Sequence, residues 1–133
     1  MQKLIRFVRK YPLSLILFAV IWYLSFFTPP KTQLAEVPLI DKWVHIAMYG
    51  GTCTVLWIEY LRAHPALHRA RLALLAWLAP VLMSGIIELL QEYCTGGRRS
   101  GDWLDLLANS IGITLAALLG LAIHRYGRQW IRA

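Results

Sequence analysis

Three sets of polar residues interrupt otherwise apolar stretches at helical spacing. Asp41, His45 and Tyr49 stand at i, i+4 and i+8, and Ser84, Glu88 and Gln91 or Glu92 share a second face. Asp102, Asp105 and Asn109 stand at i, i+3 and i+7. Such spacings put each set on one face of a helix. Carboxylates beside an imidazole can act as acid and base, relay protons or ligate a divalent ion. The same groups can also serve as interhelical hydrogen-bond glue, and Asp102 with Asp105 also fits an acidic cap and first turn. The spacing matches no recognised metal signature and no nucleophile stands out, so neither metal, cofactor nor catalytic residue is assigned. Between the second and third sets lies Thr95-Gly96-Gly97-Arg98-Arg99-Ser100-Gly101. Glycines free this backbone, Arg98 and Arg99 can grip an anion bidentately, and a helix N-terminus follows. The alternative is that these arginines pair with Glu88, Glu92, Asp102 or Asp105.

The elements that position these groups are apolar. Of 133 residues, 58% are hydrophobic and 16% charged, and mean hydropathy is +0.51. A soluble domain of this length cannot hide that much apolar surface, whereas a bilayer can accommodate it. The expected fold is all-α: a four-helix transmembrane bundle in one membrane domain over residues 1–133. Its spans run from about 11 to 27, 42 to 61, 72 to 93 and 103 to 124, each near the ~20 residues a crossing needs. No small-x-small cleavage site follows the first, so it reads as a retained anchor. Pro80 and Ser84-Gly85 predict a kink in the third. Gly112, Ala116 and Gly120 predict close helix approach in the fourth.

The net charge of +7 lies in short flanks between apolar runs, a positive-inside pattern rather than a nucleic-acid surface. Ten Lys and Arg fall on one side and four on the other. Both termini are therefore expected in the cytoplasm, in a multi-pass protein of the inner membrane. Six of the seven acids (Glu36, Asp41, Glu88, Glu92, Asp102, Asp105) fall toward the opposite, outer face. His45, Glu88, Asp105 and Asn109 should lie roughly 5–8 Å below that boundary. Aromatic belts are expected at both interfaces: Trp22, Tyr23, Trp43, Tyr93 and Trp103 outside; Tyr11, Trp57, Tyr60, Tyr126 and Trp130 inside. Glu59 is expected to pair with Arg62, and His64 and His68 to be solvated or among headgroups. Cys53 and Cys94 read as unpaired packing residues.

The run Asp41-Lys42-Trp43-Val44-His45 with Tyr49, then Glu88 with Gln91, Arg98, and Asp102, Asp105, Asn109 and Gly112, resembles the VanZ-like family over roughly residues 39–120. The resemblance implies a small polytopic membrane protein, linked in the name-giving case to lower teicoplanin sensitivity. Three functions follow. The favoured one is a non-enzymatic envelope protein. It binds an anionic lipid headgroup, or a cell-wall precursor whose access to a glycopeptide it alters, through Asp41, His45, Tyr49, Glu88, Gln91, Arg98, Arg99, Asp102, Asp105 and Asn109. The second is an intramembrane enzyme using His45, Glu88 and Asp105. The third is a transporter or lipid translocase, which four helices can form only as a homo-oligomer.

Overall fold

The computed structural model describes residues 1–27, 33, 38–97, 101–127 and 129–130. These residues form helices and no strand. They are α1 (Gln2–Lys10), α2 (Pro12–Phe26), α3 (Ile40–Ala63), α4 (Arg69–Cys94) and α5 (Trp103–Gly127). Proline biases its preceding residue away from helical dihedrals. Tyr11 accordingly leaves the helix, at φ −128° and ψ 47°, and separates α1 from α2. Pro12 then opens α2, where its missing N–H costs nothing.

α4 and α5, at 26 and 25 residues, are long and apolar enough to cross a membrane. This is narrower than the four spans expected. α2 has 15 residues, about 22 Å of helix against a hydrocarbon core of ~30 Å. α3 has 24 residues and is long enough, but Asp41, Lys42, His45, Glu59 and Arg62 dilute its apolarity. α3 tolerates that polarity because it is interior. It supplies Tyr49, Thr52, Cys53, Leu56, Trp57, Glu59, Tyr60 and Leu61 to the buried set. One core cluster gathers Leu56, Trp57, Tyr60 and Leu61 with Tyr11, Leu72 and Ala76. The other gathers Tyr49 and Cys53 with Ile21, Ile87, Ile113 and Ala116. Tyr11, Trp57 and Tyr60 are therefore core residues and not an inner belt, whereas Tyr126 and Trp130 are exposed. At the other end Tyr23, Trp43, Tyr93 and Trp103 are exposed as expected.

α3 and α5 run parallel, in register from end to end. Lys42 meets Asp105, His45 meets Asn109, Gly50 meets Gly112, and Trp57 covers Gly120. A Cβ on Gly112 would stand 2.5 Å from the Ile46 carbonyl oxygen, and one on Gly120 would overlap the Trp57 ring. The small face of α5 is thus the seat of α3. α2 is tied at both ends. Leu13 N–H and Ser14 N–H donate to the Glu59 carboxylate at 2.9 and 3.0 Å, and the Ser14 hydroxyl donates at 2.6 Å. Gln91 Nε2 on α4 donates to the Ser25 carbonyl at 2.6 Å. Glu59 therefore does not follow the expected i, i+3 pairing with Arg62. The open N–H groups and positive dipole end of α2 offer a buried carboxylate more than one solvated cation does.

π-helical turns occupy Ala73–Leu78 of α4, ending just before Pro80. A π-bulge is one of the recognised irregularities of a long helix, and it lies where the sequence predicts disruption. His64 is not simply solvated. It caps α3, stacks on Tyr60 at 4.3 Å between centroids, and sets Nδ1 3.1 Å from the Tyr60 carbonyl. Cys53 packs in the core, but Cys94 is exposed; both are free.

Candidate functional site

The first turns of α3 and α5 lie side by side, which brings their polar residues to one end of the bundle. Lys42 is the hub. Its Nζ donates to Asp41 Oδ2 at 2.6 Å, Asp102 Oδ2 at 2.8 Å and Asp105 Oδ1 at 2.5 Å. Its side chain is only 16% exposed. Three carboxylates around one ammonium leave the cluster net negative. Asp102 also caps α5 by accepting the Leu104 N–H at 2.9 Å. The Lys42 hydrogen bond, and then that N–H, hold the Asp102 carboxyl below the usual carboxylate range.

One turn deeper, His45 Nδ1 lies 2.8 Å from Asn109 Oδ1. The two side chains share a hydrogen bond through that nitrogen. Nε2 is directed to Asp105, 3.7 Å away. Asn109 is fully buried, and its Nδ2 has no hydrogen-bond partner among the described residues. Oxygens of Asp41, Asp102 and Asp105 lie within 4.8 Å of one another, close enough for one metal ion. The Lys42 ammonium already bonds all three, so a divalent ion would have to displace it. Among the described residues, this trio is the set with such spacing; His45 and Glu88 are not part of it.

Glu88 on α4 closes the cluster from the other side. Buried at 6% exposure, it accepts the Asp102 N–H at 3.0 Å through Oε2. Glu92 accepts the Gly101 N–H at 2.8 Å. Gly101 is required there, since a Cβ would stand 2.5 Å from the Glu88 carbonyl oxygen. A groove of about 230 Å³ runs beside these groups, with Glu88, Glu92 and Asp102 as its polar lining and Leu89, Tyr93 and Trp103 as its apolar one.

Asp41, His45, Glu88, Asp102, Asp105 and Asn109 are therefore brought together. Gln91 faces α2 instead, and Tyr49 packs in the apolar cluster beneath, within electrostatic reach of Glu88. Arg98 and Arg99 lie outside the described residues, as does Glu36. Lys42 was missed as a site residue. Its signal was its place within the Asp41–His45 run, but it lies off the i, i+4 stripe.

A sequence model of the family described as VanZ/LLP1 matches residues 2–124, nearly the whole chain. The chain belongs to the VanZ/LLP1 family. No curated protein and no solved structure matches it. Membership agrees with the exterior of the fold. Leu82, Ile86, Leu107, Leu115 and Leu118 are all more than half exposed on α4 and α5. Only 33% of the most apolar stretch of each helix is buried. Core helices of a soluble protein would be mostly covered, and so large an apolar exterior needs lipid. This VanZ/LLP1 member is a membrane protein.

Proposed function

We propose that this VanZ-like protein is a four-span, non-enzymatic protein of the cytoplasmic membrane, with both termini inside. It holds the polar headgroup of an envelope lipid or cell-wall precursor at its outer face. The bias of Lys and Arg toward the other end of the bundle supports that orientation. α2 and α3 complete the four spans, α3 shielded by its neighbours and α2 by its flanks.

The observation that carries the binding reading is the groove lined by Glu88, Glu92 and Asp102. In the sequence, Arg98 and Arg99 fall between Tyr93 and Gly101, two residues of its lining. Its described wall is acidic, so a purely anionic headgroup would meet repulsion there. A headgroup carrying both a phosphate and an amine fits better: arginines take the phosphate and carboxylates take the ammonium. Leu89, Tyr93 and Trp103 suit the first carbons of its tail. Sequestering such a headgroup would alter what a membrane-anchored glycopeptide can reach, the route by which a change in teicoplanin sensitivity would follow.

The test is native mass spectrometry of the protein from nanodiscs holding equal phosphatidylethanolamine and phosphatidylglycerol. The wild type should retain phosphatidylethanolamine preferentially. Arg98→Ala/Arg99→Ala should lose retention of phosphatidylethanolamine, and Glu92→Gln should lose the preference for the amine. Equal retention of both lipids by all three proteins would sink the reading.

A further inference from the structure

The opposite end of the bundle carries a second cleft, of reversed charge. α1 is amphipathic, and three of its four basic residues face α4 across an open cleft. Lys3, Arg6 and Lys10 line a cleft of about 740 Å³ against α4, which contributes Arg71. Leu4, Ile5 and Val8, from the apolar side of α1, are exposed. Among the described residues, no acidic one lines this cleft. The nearby Glu59 is committed to the first turn of α2. Lys10 Nζ is also 3.5 Å from His64 Nε2. Burial, reinforced by the charges of Lys10 and Arg71, pushes the His64 imidazole toward its neutral form. Four cations facing one another without a carboxylate repel, and the arrangement is relieved by an anion placed among them. The floor beneath them is apolar: Phe7, Leu74, Leu75 and Ala79.

We propose that the cleft between α1 and α4 binds the phosphate of an anionic phospholipid, with α1 lying in the membrane surface beside it. Arg6 and Arg71 supply planar forks for phosphate oxygens, while Lys3 and Lys10 act as point charges. The apolar side of α1 enters the acyl region, and one acyl chain follows the floor past Phe7 to Ala79. Basic pockets at membrane helix ends and amphipathic surface helices both draw anionic headgroups by this physics. The site is independent of the groove at the other end, both in place and in charge.

The test uses the full chain in nanodiscs of phosphatidylglycerol and phosphatidylcholine, with lipid retention read by native mass spectrometry. The wild type should retain phosphatidylglycerol, and Lys10→Gln/Arg71→Gln should retain about tenfold less. Lys3→Gln/Arg6→Gln should show the same loss without unfolding, because α1 buries no residue. Arg69→Gln/Arg125→Gln, which removes two charges at the same end but outside the cleft, should retain lipid as the wild type does. The proposal is overturned if both cleft variants match the wild type, or if the Arg69/Arg125 control loses as much. Full displacement of phosphatidylglycerol by millimolar inorganic phosphate would overturn it too, by assigning the cleft to free phosphate.

Discussion

Lys42 decides how the outer cluster holds together. Replacing it with Met leaves Asp41, Asp102 and Asp105 facing one another with no cation. The expected loss is about 2–3 kcal/mol of stability, because breaking a desolvated pair strands the remaining charge. Asp105→Asn in the same background should restore part of it, a non-additivity that thermal unfolding in detergent would reveal. Acid should act on the same contact. Asp102 is depressed in the fold, so its stabilisation is complete above the ordinary carboxylate range and disappears as pH falls through the lowered value. The unfolding temperature should stay level down to about pH 5 and then drop below about pH 4, more steeply in the wild type than in Asp102→Asn. An equal drop in both would remove Asp102 from the explanation. The residues on each stripe were legible from spacing because helix geometry dictates spacing. The hub was not, because Lys42 follows Asp41 directly and reaches its partners through a long flexible stem. Nor was Glu59, whose partners lie 45 and 46 residues away in the chain.

Helix pairing follows the same division. The small face of α5 could be read from Gly112, Ala116 and Gly120, but its partner could not, since nothing local says that Gly50 and Trp57 of α3 fill it. Hydropathy does not pass α3 as a crossing helix, and the partners of its Lys42, His45 and Glu59 lie on helices that no sequence window contains. In lipid, helices associate chiefly by close packing rather than by the hydrophobic effect, so spacing between backbones dominates. Gly112→Ala should cost about 2 kcal/mol or more, since its Cβ meets backbone that cannot yield, whereas Gly50→Ala, at 3.3 Å from its nearest atom, should cost less. Gly120→Ala should be harmful alone and partly rescued by Trp57→Leu, as read from unfolding temperatures of the single and double variants. At α2, Glu59→Ala should cost about 2–3 kcal/mol by stranding two N–H groups and a hydroxyl, and Glu59→Gln less, because one acceptor oxygen remains.

The bundle as a unit places Cys94 and Cys53 in opposite circumstances, which makes its orientation measurable. A membrane-impermeant maleimide applied to intact cells should label Cys94, which is exposed beside the proposed outer groove, and should spare Cys53, which is fully buried. Labelling of Cys94 only after permeabilisation would invert the proposed topology. The all-helical class was legible in composition alone, because apolar runs in lipid must satisfy their own backbone. The way α2 is bonded also governs how the protein can move. α3 holds one end through Glu59 and α4 holds the other through Gln91, so α2 behaves as a tie-rod bolted to two different walls. Sliding it by one residue, or turning it about its axis, shears the bolts at both ends together. A rocking cycle that works by piston motion of α2 would therefore have to break both sets of bonds at once.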